Sequence, residues 1–84
     1  MSPVKLYVTV TDLPGVQRVL TLLSGRSYVL TRFEAEESGA GRWRLTIDTV
    51  LDADGVELLE ARLLRVVSVL TVEARRGAAL AAVG

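Results

Sequence analysis

The chain has 84 residues, which is enough for one domain and too few for two. Half of them are hydrophobic, and ten basic residues scattered along the chain balance ten acidic ones, so a concentrated basic surface for nucleic acid is not expected. Cysteine is absent, no apolar run follows a basic start, and none approaches the ~20 residues of a membrane helix. We therefore expect a cytoplasmic protein that has no nucleic-acid partner and no membrane partner.

The chain begins with a pattern that predicts a strand followed by a helix. Hydrophobic residues alternate with polar ones from Val4 to Thr11, as in a strand with one buried face. Asp12 is placed to accept hydrogen bonds from the first amides of a helix, and Pro14 suits the first turn. Apolar residues then recur at helical spacing until Gly25, so the first helix is predicted over about residues 14–24.

The next segment predicts a β-hairpin. Residues 28–37 are rich in β-branched and aromatic types, but their apolar residues fall on both faces, a conflict that a bulge near Thr31 or Arg32 would resolve. Residues 38–41 form the turn. A third strand follows, and its inward residues are Trp43, Leu45 and Ile47.

The remaining residues predict a second helix and a fourth strand. Residues 52–55 open the helix, with Asp54 and Glu57 at the spacing of a capping box. The apolar side of this helix contains Val56, Leu59 and Leu63. Residues 67–72 form a short strand rich in β-branched residues, and the Ala-rich tail, residues 75–84, is either frayed coil or a weak helix.

The predicted order βαββαβ specifies a ferredoxin-like α+β sandwich. Right-handed crossovers favour a four-stranded antiparallel sheet of spatial order 4-1-3-2 with both helices on one face. One core is expected between sheet and helices, from Leu20, Leu23, Trp43, Leu45, Leu59 and Leu63. The other face of the sheet would be polar, with Lys5, Tyr7, Thr9, Arg44, Thr46 and Asp48. Strands two and four are the edges, and the long apolar second strand is expected to pair with a partner.

No catalytic group is evident in the sequence. Histidine and cysteine are absent, which removes the commonest general base, the commonest metal ligands and the thiol nucleophile. The acidic residues of the second strand and the second helix are interpreted as a solvated strand end and as helix caps: Glu34, Glu36, Glu37, Asp52, Asp54 and Glu57. The turn at Gly25 and Arg26 follows a helix instead of opening one, so it is interpreted as a helix stop. We expect no catalytic residue, no cofactor and no metal ion.

Three segments of the chain resemble the ACT domains, which are βαββαβ modules that sense amino acids in metabolic enzymes. Residues 12–15, Asp-Leu-Pro-Gly, are similar to the Asp/Asn-x-Pro-Gly turn of that superfamily. Residues 18–28 and 58–69 are most similar to the small regulatory subunit of acetolactate (acetohydroxyacid) synthase, within a resemblance that covers residues 4–74.

The resemblance implies an organisation and a set of partners. It implies an ACT-like domain over residues 1–74, followed by the tail 75–84, that acts as a non-catalytic regulatory subunit in branched-chain amino acid biosynthesis. It also implies a homodimer joined through the edge strand 28–36 and a large catalytic synthase subunit as partner. The alternative is a free-standing ACT-like amino-acid sensor or dimeric scaffold that has another partner.

A small amino acid is the ligand that the resemblance implies. Its carboxylate would meet the backbone amides that follow Asp12, with Gly15 leaving it room, and the second strand of a neighbouring subunit would close the pocket. The candidate ligand-binding residues are Asp12, Pro14, Gly15, Val16, Val29 and Thr31. The alternative is that the turn over residues 12–15 serves only as the entry to the first helix. The family usually has glycine where Ser27 stands and a ligand-binding asparagine where Val29 stands, so we expect valine to bind weakly or not at all.

Overall fold

The structure of the protein is a computed structural model, and it describes residues 2–76. Its elements follow the predicted order: β1 (Ser2–Val10), α1 (Leu13–Gly25), β2 (Leu30–Gly39), β3 (Arg42–Leu51), α2 (Ala53–Leu64) and β4 (Val69–Arg76). The four strands form one antiparallel sheet in the order β2-β3-β1-β4. This confirms the ferredoxin-like sandwich, its strand order and the placement of β2 and β4 at the edges.

The core lies between the sheet and the two helices, and it follows from the alternation of β1. The buried residues of β1 are Val4, Leu6, Val8 and Val10. Leu6 lies opposite the buried Ile47 of β3. The helices complete the core with Val16, Val19, Leu23, Val56, Leu59 and Leu63. Because every other residue of β1 is apolar, this central strand presents one continuous apolar face to the helices, and its burial is the main source of stability.

A bulge in β2 turns its apolar residues toward the core, as the sequence predicted. The register against β3 shifts between Leu30 and Arg32, so Thr31 is the extra residue. Leu30 and Phe33 consequently both pack against the core, although a spacing of three would place them on opposite faces of a regular strand. The Thr31 hydroxyl donates to the carbonyl oxygen of Asp48 at 3.0 Å and fastens the bulge to β3.

Two residues predicted for the core have different positions. Leu20 is 40% exposed because it follows the buried Val19 by ~100° around α1, away from the sheet. Trp43 is only partly buried: it lies opposite Val10 near the beginning of β3 and packs at the margin of the core. The other predicted core residues are fully buried: Leu23, Leu45, Leu59 and Leu63.

The cap of α2 also differs from the prediction. Asp52, and not Asp54, is the N-cap, because the helix begins at Ala53. The Asp52 side chain accepts a hydrogen bond from the Gly55 amide at 2.7 Å. Asp54 instead lies in the first turn, where its negative charge is favourable near the positive end of the helix.

The last strand is shifted toward the C-terminus relative to the prediction. β4 begins at Val69 instead of residue 67, and Val67 is 88% exposed in the loop that leads from α2 to β4. Arg75 and Arg76, which were predicted to belong to the tail, are the last residues of β4. Residues 77–84 of the predicted tail lie outside the described residues.

Candidate ligand site

The turn between β1 and α1 contains four of the predicted ligand-binding residues. Asp12 is the N-cap of α1 in an extended backbone conformation, and its side chain accepts a hydrogen bond from the Gly15 amide at 2.9 Å. The same amide donates to the Asp12 carbonyl oxygen at 3.1 Å. Pro14 has no amide hydrogen, so two of the three residues expected to meet a carboxylate offer no free donor. Helix capping therefore uses part of the donor set expected for a ligand.

The room expected beside Gly15 is occupied by the chain itself. A Cβ at Gly15 would lie 2.7 Å from the Cβ of Ser68 and 3.0 Å from the Cβ of Val10. The Thr11 amide donates to the Ser68 carbonyl oxygen at 2.9 Å and holds the loop between α2 and β4 against this turn. Val16, the next residue of α1, is buried in the core. Gly15 thus permits close packing between the beginning of α1, the end of β1 and that loop.

Val29 and Thr31 lie at the opposite end of the sheet from the Asp12 turn. β2 begins opposite Thr49 of β3, which in turn lies opposite Val4 near the beginning of β1, whereas the Asp12 turn follows the end of β1. The six residue steps from Val4 to the end of β1 span about 20 Å at ~3.3 Å per residue. The two halves of the predicted site are therefore not brought together within one chain.

The backbone at Val29 is fixed although its side chain is 55% exposed. Its carbonyl oxygen accepts a hydrogen bond from the hydroxyl of Thr49, a buried residue of β3. The preceding residue, Tyr28, packs against the core, and its hydroxyl accepts a hydrogen bond from Arg62 Nη1 at 2.9 Å. Val29 is thus an exposed apolar side chain immediately before the edge strand, which begins at Leu30 and not at residue 28 as predicted.

The outer edge of β2 has no partner strand in the described part of the chain. Because the bulge turns the apolar residues toward the core, the exposed side chains of this strand are more polar than predicted and include Glu34, Glu36 and Glu37. Arg32 Nη2 lies 2.6 Å from a carboxylate oxygen of Glu34, and this hydrogen bond, together with the negative charge, raises the pKa of Arg32. A strand added at this edge would be held through backbone hydrogen bonds more than through apolar side chains.

The sheet face opposite the helices is polar, as predicted, and several of its charges are paired. Lys5 Nζ lies 3.7 Å from Asp48 Oδ1, and Arg75 Nη2 lies 3.6 Å from Glu73 Oε2. The Arg75 guanidinium also lies 5.6 Å from the centre of the Tyr7 ring. Within residues 2–76, no group of three or more Asp, Glu, His or Cys side chains could hold a metal ion, and no helix has the length and hydrophobicity needed to cross a membrane.

A groove between α1 and α2 brings together arginines that are far apart in the sequence. Arg18 and Arg26 line it from the α1 side, and Arg62 and Arg65 line it from the α2 side. Its other lining residues are Pro14, Gln17, Thr21, Leu22, Gly25, Leu58, Ala61 and Val66. Counting basic residues along the chain does not reveal this cluster. Helical spacing does not reveal it either, because Arg18 and Arg62 come together only through the packing of the two helices.

Comparison with known proteins bears on the fold. Neither a family model nor a curated protein matches the sequence. The ACT domain of GTP pyrophosphokinase from Chlorobium tepidum is similar, with a TM-score of 0.75 and 17% identity over 88% of this chain and 97% of that chain. The C-terminal domain of the MgtC protein from Mycobacterium tuberculosis has a TM-score of 0.70 and 17% identity, over 90% and 87% of the two chains.

The acetolactate synthase small subunit from Thermotoga maritima is also similar. Its TM-score is 0.77 at 24% identity, and the match covers 88% of this chain and 47% of that chain. The present sequence therefore corresponds to about half of that subunit. At identities this low the similarity concerns the fold, which all these structures share. The chain has the ACT-like form of the ferredoxin-like fold.

Proposed function

We propose that the chain is a non-catalytic regulatory module that works as a homodimer in the cytoplasm. In this proposal it is a small subunit of acetolactate synthase, or a relative of that subunit, in branched-chain amino acid biosynthesis. The observation that supports it most is the separation of the predicted ligand residues, since the Asp12 turn and Val29 lie at opposite ends of one sheet. A site divided in this way is complete only where a second copy supplies the other half.

Pairing of two β2 edges would bring the two halves of the site to the same end of one continuous sheet. Two copies related by a twofold axis place their β2 strands antiparallel, so the beginning of one strand lies beside the end of the other. Val29 immediately precedes β2 and Thr31 lies at its beginning, whereas the end of β2 lies at the same end of the sheet as the Asp12 turn. The neighbour's Val29 would therefore lie at the same end of the joined sheet as this chain's Asp12 turn, with this chain's β2 and β3 between them, about 14 Å at ~4.8 Å between adjacent strands.

Val29→Lys tests this contact, and Val67→Lys is its matched control. Each variant replaces an exposed valine, but Val67 precedes β4 at the other edge of the sheet. We expect Val29→Lys to raise the dissociation constant of the dimer about tenfold or more, because a charge placed in the contact must lose water. Sedimentation equilibrium measures the constant. An unchanged dimer in Val29→Lys, or equal effects of the two variants, would contradict the contact.

The synthase partner is supported by sequence and fold together. Residues 18–28 and 58–69 resemble the small regulatory subunit, and the solved small subunit from Thermotoga maritima has the same fold. The lack of histidine and cysteine agrees with a non-catalytic role. We expect the tagged full chain to capture a large synthase subunit from its native lysate and to change the activity of that enzyme when added back.

The second candidate function is a free-standing amino-acid sensor or dimeric scaffold. It is favoured by the breadth of the fold, because an ACT domain of GTP pyrophosphokinase and the C-terminal domain of the MgtC protein have TM-scores of 0.75 and 0.70, close to the 0.77 of the synthase subunit. The capture experiment separates the two functions. A homodimer that captures no synthase subunit would support the scaffold or sensor and contradict the synthase role.

The ligand proposed for the shared site is a small aliphatic amino acid, bound weakly. Val29 offers no hydrogen bond, and the Gly15 amide already donates to Asp12. A missing hydrogen bond to a buried polar group costs about 1–3 kcal/mol, which corresponds to roughly ten- to hundredfold in affinity. Val29→Asn restores an amide side chain, and we expect it to strengthen valine binding by about tenfold in titration calorimetry, whereas Val67→Asn should not. Micromolar binding of valine by the unaltered chain would contradict the expected weakness.

A further inference from the structure

Four arginines line the groove between α1 and α2 from both sides. Arg18 lies on α1, Arg26 caps its C-terminal end, Arg62 lies on α2, and Arg65 caps the end of that helix. Arg26 and Arg62 line both the part of the groove that contains Arg18 and the part that contains Arg65. The chain rises by about 12 Å along the helix axis between Arg18 and Arg26, at ~1.5 Å per residue, so the positive charges extend along the groove instead of meeting at one point.

The groove contains positive charge without neighbouring negative charge. No Asp or Glu is among its lining residues. The ion pairs found within residues 2–76 involve Lys5, Arg32 and Arg75, all of which lie on strands, so none of them neutralises a groove arginine. Because the formal net charge of the chain is zero, the groove represents a local separation of charge that attracts anions.

Two of the guanidinium groups are oriented by uncharged partners. Arg18 Nη1 donates to the Ser68 hydroxyl at 2.7 Å, and Arg62 Nη1 donates to the Tyr28 hydroxyl at 2.9 Å. Ser68 is only 4% exposed and Tyr28 packs against the core, so both acceptors are held firmly. Since a guanidinium has five N–H donors, each arginine keeps donors for a phosphate and loses less conformational freedom on binding.

Stabilisation of helix ends explains part of this arrangement but not all of it. Arg26 and Arg65 follow the last residues of α1 and α2, and Arg62 lies in the last turn of α2, where positive charge is favourable. Arg18 lies in the second turn of α1, far from its C-terminal end, so the helix dipole does not account for it. Its orientation is set instead by the hydrogen bond that it donates to the Ser68 hydroxyl.

From these contacts we infer that the groove between α1 and α2 binds a small organic diphosphate. A phosphate group accepts two parallel hydrogen bonds from one guanidinium, so a diphosphate can engage Arg26 on one helix and Arg62 on the other. The half-buried Leu22, which lines the groove together with both arginines, and the exposed Leu58 provide an apolar surface for the organic part. The groove shares Pro14 with the candidate amino-acid site, whereas Arg26 and Arg62 belong to the groove alone.

Titration calorimetry of the full chain with inorganic pyrophosphate, at low ionic strength and without divalent metal ions, tests the inference. We expect saturable binding that weakens as salt is added. Arg62→Gln should reduce the affinity about tenfold or more, whereas Arg44→Gln on the opposite sheet face should leave it unchanged. ADP, used as the organic diphosphate, should bind at least as tightly as pyrophosphate. If Arg62→Gln impairs folding in thermal unfolding, Arg26→Gln replaces it, because the Arg26 side chain is exposed.

Several results would overturn the inference. These are the absence of saturable pyrophosphate binding, an equal loss of affinity in Arg44→Gln, or unchanged affinity in the groove variant. Tighter binding of a glutamate-rich peptide than of either diphosphate would also overturn it and would identify the groove as a protein contact. The groove variants should leave the sedimentation of the homodimer unchanged, so a failure here is distinguishable from a failure of the proposed dimer.

Discussion

Replacement of Gly15 by alanine tests how closely α1 is packed against its neighbours. The added Cβ would lie 2.7 Å from Ser68 Cβ and 3.0 Å from Val10 Cβ, and both distances are shorter than the ~3.5–4.0 Å of a favourable carbon–carbon contact. Each neighbour is the first atom of its side chain, so it moves only with the backbone. Val10 is fully buried, and Ser68 is held by the hydrogen bond from the Thr11 amide.

The magnitude of the effect follows from two opposing contributions. Crowding of a well-packed region typically costs about 1–3 kcal/mol. Alanine is favoured over glycine within a helix by roughly 0.5–1 kcal/mol, which offsets part of that cost. We therefore expect Gly15→Ala to lower the free energy of unfolding by about 1–2 kcal/mol. For a domain of this size each kcal/mol lowers Tm by roughly 4–8 °C.

Gly25→Ala is the matched control for Gly15→Ala. Gly25 is the last residue of α1, and nothing lies within 4 Å of a Cβ added there. The same substitution at this position should leave the free energy of unfolding unchanged or raise it by up to about 1 kcal/mol. Urea and thermal unfolding, followed by circular dichroism, measure both variants. A Gly15→Ala protein as stable as the unaltered chain would refute the close packing. It would indicate instead that the space beside Gly15 is open to a ligand.

Further substitutions test the core and the cap of α2. Leu59→Ala should lower the free energy of unfolding by about 2–5 kcal/mol because Leu59 is fully buried, whereas Leu20→Ala, at a 40%-exposed position, should cost less than half as much. Asp52→Ala should cost about 0.5–2 kcal/mol, since it removes the acceptor for the Gly55 amide, and Asp54→Ala should cost less in the same urea titration. Equal effects of the two leucine variants would show that the buried faces of the helices are wrongly assigned. Equal effects of the two aspartate variants would show that the N-cap of α2 is wrongly assigned.

The sheet could be predicted from the sequence because burial of one face constrains a strand strongly. A shift of one residue would expose every apolar side chain of a strand. The alternating pattern of β1 therefore fits one orientation, and the apolar residues on both faces of β2 fit only a few backbone arrangements. The bulge at Thr31 is one of these arrangements. The burial of helical residues is less constrained by the sequence. A residue at the margin of the apolar face is buried or exposed depending on the rotation of the helix about its axis against the sheet. Leu20 is such a residue, and its exposure could not be predicted from spacing.

The candidate site could be predicted only in its local part. The cap formed by Asp12 follows from neighbouring residues, but the atoms that fill the space beside Gly15 belong to Val10 and to the distant Ser68. The arginine groove is also non-local, because Arg18 and Arg62 meet only when the two helices pack side by side. Contacts between residues far apart in the chain leave no periodic signal, and these contacts determine which donors and which charges a ligand meets.

A ligand site shared between two copies can be measured directly, because the chain has no cysteine. Leu13→Cys marks the Asp12 turn, Val29→Cys marks the residue before β2, and the two parent side chains are 53% and 55% exposed. The two variants are mixed, allowed to exchange subunits and treated with a bismaleimide linker shorter than the ~20 Å that separates the ends of one sheet. We predict cross-linked heterodimers from this pair and none from Leu13→Cys mixed with Val67→Cys. Absence of the first product, or equal yields of both, would contradict a site completed by a second copy.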